Sequence, residues 1–427
     1  MFANELVQVD FNNTAQFGSR ATATIPKNGD LLSEVYLAVK LPRIASTIVN
    51  ATAITETNFW GYVNKIGYAM IQDVTLEIGG QVYDKHTSEY LDIMDELAGK
   101  SAKKPHEIIG DFEGLHPNFS ALDATDGVKT AIWKKAFEFS SSTAIASTGK
   151  PDPYLYIPLK FWFNQTVSMA LPMVALSFHD VKLTFNFRAL SALTKYWGKE
   201  TTNAATLGTL PSSTIPEAYL LCNYVYLDAP ERVTFGSGSE IEYLIDTLQT
   251  DTLDLAAAAT SATFNITFNH PIKELLFVIR GKRSETGNDW FNYNPTGTIT
   301  ASNTAGGLVD PALAFKNCRL RFNGHDRFSK QPTTFFKTLM PSKVHTNVPS
   351  KNIFVYSFAL DPESEKPTGT ANFSRIDQIT LNFEFNGSEV HDGNGVWGPS
   401  GASILLFGRN YNVIKIVNGM AGIKYAS

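Results

Sequence analysis

The chain has little cysteine, little excess charge and no long apolar run, and each shortage excludes a class of protein. Its 427 residues include two cysteines, Cys222 and Cys318, which are too few for a domain built on disulfides. The formal net charge is −5, so the chain lacks the concentrated basic field of a nucleic-acid-binding protein. No stretch approaches the ~18 consecutive apolar residues of a membrane-spanning helix. The N-terminus MFANELVQVDF is not typical of a secretory signal.

Residues that commonly perform catalysis or bind metals are scattered along the chain. None of the eight histidines shows zinc-site spacing, and there is no CxxC motif. His179-Asp180 stands at the start of an apolar strand, where a structural role is the better interpretation. No Gly-x-Ser-x-Gly elbow or phosphate-binding loop is present. The sequence therefore predicts no enzyme and no catalytic, cofactor-binding or metal-binding residues.

What the chain does contain is a repeated β-pattern. Val74–Gly80 (VTLEIGG) is similar to Cys318–Gly324 (CRLRFNG), and Val181–Phe187 (VKLTFNF) is similar to Ile379–Phe385 (ITLNFEF). The segments occur in the same order in each half, and Gly79-Gly80 and Asn323-Gly324 predict a hairpin turn after the first segment of each half. The repeating unit is too long for a solenoid and has the size of a domain, so the pattern predicts two related β-domains in tandem.

Further alternating or apolar segments predict more strands in each half. They are Ala21–Ile25, Val35–Leu41, Tyr154–Phe163 and Tyr219–Leu227 in the first half, and Ala262–Phe268, Glu274–Ile279, Ile353–Leu360 and Ile404–Val417 in the second. Asp228–Glu240 contains Pro230 and GSGS, which indicate a linker. We therefore expect domains at 1–228 and 241–427, joined by a linker at 229–240.

The two halves differ most in loop length. From Gly80 to Val181 the chain advances 101 residues, whereas from Gly324 to Ile379 it advances 55. Much of the extra length lies in His86–Pro153, which we expect to be a long insertion loop. Within it, the helical spacing of apolar residues predicts a short helix at Ser88–Gly99, and the composition of Glu138–Pro153 predicts a surface loop.

Six segments are similar to a known family. They are Ile25–Leu41 (IPKNGDLLSEVYLAVKL), Phe161–Leu183, Phe268–Leu275 (FNHPIKEL), Asn323–Phe328 (NGHDRF), Pro367–Asp377 (PTGTANFSRID) and Asn410–Ser427. Together they resemble the major capsid proteins of large nucleocytoplasmic DNA viruses, of the phycodnavirus and iridovirus type. The segments cover both halves in the family's order.

The resemblance implies an all-β fold of two tandem eight-stranded jelly-roll sandwiches, a double jelly roll, with long loops and short helices. It also implies a homotrimer that forms a pseudo-hexagonal capsomer, and capsomers that tile an icosahedral virion shell assembled in the host cytoplasm. The implied partners are other copies of the chain, neighbouring capsomers, minor capsid proteins and, indirectly, an internal membrane. Family members usually carry an N-terminal arm, but here the first strand motif begins about twenty residues in. Met1-Phe2-Ala3 resembles the end of such an arm, so either the arm is short or a segment precedes this sequence. By the same resemblance, the long insertion loop at His86–Pro153 would form part of an outer projection or embrace a neighbour.

Two other functions remain open at this point. A minor or vertex capsid protein would share the virion, although such proteins often have one jelly roll. A carbohydrate-binding β-sandwich at the virion surface would need exposed aromatic rings for stacking on sugars, and Trp60, Trp133 and Trp290 are the candidates. Packing of these rings at loop bases is the simpler interpretation.

Overall fold

A computed structural model describes ten segments of the chain, which group into two compact units. The described residues are 2–46, 59–99, 106–111, 153–197, 208–209, 213–236, 240–256, 259–293, 314–385 and 401–425. The described residues within 1–82 and 105–239 belong to the first unit, and those within 83–104, 240–299 and 309–427 belong to the second. Residues 83–99 therefore belong by their contacts to the second unit, although they lie within the first half of the sequence.

The first unit is built mainly from strands. In chain order they are β1 (Phe2–Asp10), β2 (Arg20–Ile25), β3 (Leu31–Lys40), β4 (Ala45–Ser46), β5 (Phe59–Tyr62), β6 (Ile71–Ile78), β7 (Gln81–Thr87), β8 (Tyr154–Pro158), β9 (Leu171–Pro172), β10 (Val181–Phe187), β11 (Thr194–Trp197), β12 (Gly208–Thr209) and β13 (Glu217–Leu227). One sheet has the order β1-β13-β3-β8, with β9 on β3, and a second has the order β2-β10-β6-β7. Two short ribbons, β4 with β12 and β5 with β11, lie outside these sheets.

The second unit repeats this arrangement strand by strand. Its strands are β14 (Ile241–Leu255), β15 (Ser261–Ile266), β16 (Pro271–Gly281), β17 (Asn317–Phe322), β18 (His325–Asp326), β19 (Gln331–Pro332), β20 (Ile353–Ser357), β21 (Ala371–Asn372), β22 (Ile379–Glu384), β23 (Ala402–Val417) and β24 (Met420–Ile423). The sheet orders are β14-β23-β16-β20 and β15-β22-β17-β18. Each sandwich thus has eight main strands in the same two four-stranded orders, and each is a jelly roll. β7 completes the second sheet of the first sandwich, although its residues from Tyr83 onward belong by their contacts to the second unit.

Helices are short and lie in the connections. They are α1 (Ile66–Met70), α2 (Ser88–Ala98), α3 (His106–Ile109), α4 (Ala229–Gly236), α5 (Lys282–Thr286) and α6 (Met340–Val344), and a π-helix at Phe335–Leu339 runs directly into α6. No helix of the described segments is long and apolar enough to cross a membrane.

Matching hairpins connect the repeated strands. Gly79-Gly80 joins β6 to β7 with φ of 61° and 82°, and Asn323-Gly324 joins β17 to β18 with φ of 49° and 81°. Two consecutive residues with positive φ are the conformation that a tight two-residue hairpin needs, and glycine and asparagine adopt it with least strain. The Gly-Gly and Asn-Gly hairpin signals of the sequence are therefore confirmed.

The inward-facing side chains of the second sandwich form a core rich in phenylalanine. Phe277 and Phe315 are fully buried, with ring centroids 6.1 Å apart. Phe354 and Phe383 contact the same pair, at 4.9 Å and 5.5 Å from Phe315. Close edge and tilted contacts of this kind add to the stabilisation that burial of the rings provides.

Several predicted elements have different boundaries in the structure. The predicted strand Tyr154–Phe163 ends at Pro158, and Trp162–Asn164 forms a 3₁₀ helix. The predicted linker contains α4, where Arg232 forms an ion pair with Asp30 at 2.9 Å. Met1-Phe2-Ala3 was expected to end an arm, yet Phe2–Asp10 is a strand paired with β13.

The predicted helix at Ser88–Gly99 is confirmed as α2. Most of the remaining long insertion, including the predicted loop at Glu138–Pro153 as far as residue 152, lies outside the described residues.

Candidate functional site: a helix and a charge network on one sheet face

Helix α2 carries an unusual amount of buried negative charge. The side chain of Thr87 caps its N-terminus by accepting a hydrogen bond from the backbone N–H of Tyr90, at 3.5 Å. All ten residues from Ser88 to Leu97 are buried, and four of them are acidic: Glu89, Asp92, Asp95 and Glu96. Carboxylates are very rarely buried without partners, because removing a charge from water costs several kcal/mol.

Cations of the second sandwich pair with two of these acids, Glu89 and Asp92. Arg280, on β16, donates to Glu89 at 2.7 Å. Lys351 forms an ion pair with Asp92 at 2.9 Å, and the hydroxyl of Tyr293 donates to the same carboxylate at 3.3 Å. These charge-assisted contacts fix both the position and the rotation of the helix.

The helix lies on the outer face of the sheet β14-β23-β16-β20. The ring of Tyr90 lies 6.1 Å from that of Phe407, on β23. Leu406 belongs to the core, so Phe407 points to the opposite face. The strand leading into the helix is anchored as well, because Asp84 accepts a hydrogen bond from the backbone N–H of Leu248 at 3.0 Å. Backbone bonds close the far end, where Asn347 donates its N–H to the carbonyl of Leu97 at 3.0 Å.

A second set of charges, centred on Glu274, is buried on the same sheet face. Glu274 accepts from Arg409 at 2.5 Å and contacts Nε2 of His345 at 2.9 Å. The other ring nitrogen, Nδ1, lies 2.7 Å from Glu363. Arg409 also reaches Asp246 at 3.2 Å, and Lys273 donates to the same carboxylate. We call these six residues the Glu274 network.

The protonation states follow from these contacts. Burial alone would raise the pKa of Glu274, but the positive charges of His345 and Arg409 lower it to about 2. Burial alone would lower the pKa of His345, but Glu274 and Glu363 raise it to about 9. Burial, together with the nearby Arg409, lowers the pKa of Lys273 to about 8. The imidazole is therefore charged at neutral pH and donates from both nitrogens.

The chemistry available to these groups is structural. An imidazolium held between two carboxylates cannot accept a proton at neutral pH, so His345 is not placed to act as a general base. The described segments contain no group of three or more His, Cys, Asp or Glu side chains able to hold a metal ion. Both cysteines are buried free thiols, as expected, and burial raises the pKa of Cys222 to about 12.

The tryptophans considered for sugar binding give little support to that role. Trp290 is partly buried, and the guanidinium of Arg280 lies 5.4 Å from its ring centroid. That cation–π contact occupies a ring face that a sugar would need. Trp133 and the side chain of Trp60 lie outside the described residues.

The fold has close counterparts among solved structures. It superposes on VP54 of PBCV-1, fitted into a reconstruction of the virophage Sputnik, with a TM-score of 0.72 and 24% identity, covering 100% of this chain and 97% of that one. The Faustovirus major capsid protein gives a TM-score of 0.67 at 12% identity, covering 97% and 90% of the two chains. The tandem jelly rolls and these likenesses define the fold class: a double jelly roll.

Sequence comparison then identifies the family. The major capsid protein of Phaeocystis pouchetii virus is 28% identical over an alignment that covers 100% of this chain and 93% of the relative. That of Paramecium bursaria Chlorella virus 1 is also 28% identical, with 100% and 92% covered. The family described as "Major capsid protein N-terminus" matches residues 1–228, and "Large eukaryotic DNA virus major capsid protein" matches residues 231–422. The chain belongs to the major capsid proteins of large eukaryotic DNA viruses.

Proposed function

We propose that the chain builds the virion shell as a homotrimer, whose six sandwiches form a pseudo-hexagonal capsomer that tiles an icosahedral lattice. The observation that carries the proposal is the identity of sheet order between the two units. Three copies of a chain with two like sandwiches supply six like bodies around one axis. Closed cyclic symmetry of this kind is the usual way in which identical chains assemble.

The loops support the same proposal. The sandwich strands and hairpins repeat, whereas the connection after the hairpin is 46 residues longer in the first half than in the second. Bodies in one ring must present similar packing surfaces, but their projecting loops are free to differ. We keep the proposal that the two sandwiches correspond to residues 1–228 and 241–427, with residues 83–99 of the first sequence half packed into the second unit.

The relatives indicate where such a subunit works. A structure titled "PBCV-1 virus capsid, quasi-atomic model" matches this fold with a TM-score of 0.71. We infer that this chain contacts neighbouring capsomers and minor capsid proteins, reaches an internal membrane only indirectly, assembles in the host cytoplasm and has no enzymatic role. The paired state of the Glu274 network supports a structural role.

The trimer is tested on the purified full-length chain. Light scattering coupled to size-exclusion chromatography should give three times the chain mass of 47.0 kDa at micromolar concentration. Electron micrographs should show hexagonal outlines about one axis. A folded species that remains at the mass of one chain across that concentration range would contradict the proposal.

A further inference from the structure

The first sandwich has an exposed outer sheet face that is rich in tyrosine. Register places Lys40 between Tyr154 and Glu217, and Ala38 between Tyr156 and Tyr219. Residues paired directly across antiparallel strands point to the same face. We call the following set the tyrosine face: Tyr36, Tyr154, Tyr156, Glu217, Tyr219 and Leu221.

This face is opposite the core and open to solvent. Leu37 and Leu220, which alternate with its members, are fully buried. Tyr154 is 39% exposed, and its hydroxyl donates to Glu217 at 2.5 Å. On the edge strand β1, Leu6 pairs with Asn223 and is 59% exposed, so it extends the same face beyond the tyrosines. A broad surface of partly exposed rings beside an exposed leucine is typical of a protein interface.

The charged residues of this face are mainly acidic. Asp10, Glu34 and Glu217 lie on the same side as the tyrosines, with Lys40 as the basic residue in these rows. The matching face of the second sandwich is mixed: Arg280, Arg409 and Lys273 lie beside Glu274 and Asp246, and acidic α2 covers it with Glu89 on Arg280.

The segments that follow the two matching hairpins have opposite charges. In the first half, residues 88–99 contain four acids and no basic residue. In the second half, residues 327–351 contain five basic residues and no acid. We call residues 327–351 the basic segment; its arginine and lysines are Arg327, Lys330, Lys337, Lys343 and Lys351. Within the chain Lys330 pairs with Glu384 and Lys351 with Asp92, whereas Arg327 and Lys343 are exposed.

The basic segment exposes groups suited to contact another surface. Its helical part runs from Phe335 through α6, where Leu339 is 56% exposed and Lys343 is exposed. Val348, further along, is 46% exposed. An exposed leucine and a lysine four residues apart lie on one side of a helix.

We propose that the basic segment of one copy docks on the tyrosine face of a second copy. Within the second unit, the acidic helix α2, which follows the hairpin of the first sandwich, covers the outer sheet face of the second sandwich. The proposed contact is the counterpart between chains: the basic segment, which follows the hairpin of the second sandwich, covers the outer sheet face of a first sandwich. We assign the occupant as a second copy because this chain itself carries a segment at the position equivalent to α2. That segment has the opposite charge to α2 and exposes Leu339. The inference rests on the proposed trimer and names one of its contacts.

Photocrosslinking tests the contact directly. The full-length chain would carry p-benzoylphenylalanine in place of Leu339 and be assembled as an equal mixture of ordinary and ¹⁵N-labelled copies. Mass spectrometry should find mixed-isotope crosslinks from position 339 to strands β3, β8 or β13. The matched control places the probe at Leu360, which is 76% exposed in the same unit, and should not give those crosslinks.

Charge exchange supplies a second, independent readout. Lys343→Glu and Glu217→Lys should each raise the concentration at which the trimer dissociates, by roughly tenfold. The double variant E217K/K343E should recover most of the loss. Phe178→Asp, at a residue of the first unit that is 77% exposed, is the control and should leave the dissociation unchanged. Circular dichroism of each variant checks that it has folded.

The outcomes separate this inference from the proposed function. If the wild-type chain is a stable monomer, the trimer itself is wrong. If the trimer forms but position 339 crosslinks elsewhere, or the charge variants behave like Phe178→Asp, the docking contact is wrong and the trimer stands. Crosslinks to the tyrosine face only within one copy would also overturn the contact.

Discussion

The outer faces of the two equivalent sheets are the most instructive comparison in the molecule. In the second sandwich the face is buried under α2 and holds the Glu274 network, whereas in the first it presents partly exposed tyrosines, of which Tyr154 is the most exposed. Both sheets have the same strand order. The residues that point inward must pack into the sandwich core, whereas the residue types that point outward can differ according to what covers each face. A repeated fold can therefore carry two different surfaces without a change in topology.

The largest effect should come from breaking the Glu274 network. Arg409→Met would leave Glu274 and Asp246 without their shared cation in a buried site. Loss of one partner of a buried ion pair commonly costs about 3–5 kcal/mol. We expect a loss of that size in the free energy of unfolding, measured by denaturant titration.

The matched control is Lys415→Met. Lys415 pairs with Glu240 on the surface, with side chains 41% and 53% exposed. Exposed pairs contribute little to stability, because water and salt screen the charges. Equal effects for the two variants would show that the buried network does not stabilise the second sandwich.

The histidine of the network predicts a dependence on pH. The pKa of His345 is raised to about 9 from 6.5, so its stabilisation is fully present below pH 6.5 and is lost as pH rises through about 9. His345→Gln should therefore cost on the order of 2–3 kcal/mol at pH 6, and the gap from wild type should close above pH 9. The lowered pKa of Lys273 makes the stability rise with pH over part of this range, which opposes the effect of His345. The quantity to measure is therefore the difference in the free energy of unfolding between the variant and wild type at each pH. A gap that is constant from pH 6 to 10 would contradict the assigned charge.

The helix that covers the second face should be weakened by a smaller change. Asp92→Asn keeps the shape of the side chain but removes the charge that pairs with Lys351. Leaving that partner without its counter-ion should lower the free energy of unfolding by about 2 kcal/mol. Hydrogen exchange should rise across Ser88–Ala98 before it rises in the sandwich cores. Glu242→Gln, which affects an exposed pair with Lys424, is the comparison.

The smallest effect is expected on the tyrosine face of an isolated chain. Tyr154→Phe removes an exposed hydrogen bond to Glu217 and should leave the thermal unfolding midpoint of the chain unchanged. A large shift would mean that this face is part of the folded core. The contrast with Arg409→Met would then disappear.

Much of the fold could be predicted from the sequence because its signals are local. Alternation identified most sandwich strands, Gly-Gly and Asn-Gly marked the paired hairpins, and the spacing of Tyr90, Leu91, Met94 and Leu97 identified α2. β1 was missed as a strand because its sequence, FANELVQVD, alternates between apolar and polar residues only near its end, and seven of its nine residues are exposed. The predicted strand from Tyr154 was too long because Pro158 cannot donate a ladder hydrogen bond.

The charge networks could not be predicted, since their members are far apart in sequence. Lys351 and Asp92 are 259 positions apart, and only the sheet register brings such residues together. His345 and Glu274 are 71 positions apart, without a motif that links them. The available signal in the sequence was an acidic residue, such as Asp92, among the apolar residues of a predicted helix. Such a residue indicates that a basic partner exists, but it does not identify which residue that partner is.

The placement of α2 has a consequence for the order of synthesis. The helix ends at Ala98, and β23, which carries Phe407 and Arg409 beneath it, begins at Ala402, 304 residues later. At translation rates of about 5–20 residues per second, the acidic helix leaves the ribosome roughly 15–60 s before the surface that receives it. The chain therefore cannot mature strictly from its N-terminus to its C-terminus. The last long strand to be synthesised completes the burial of one of the first helices.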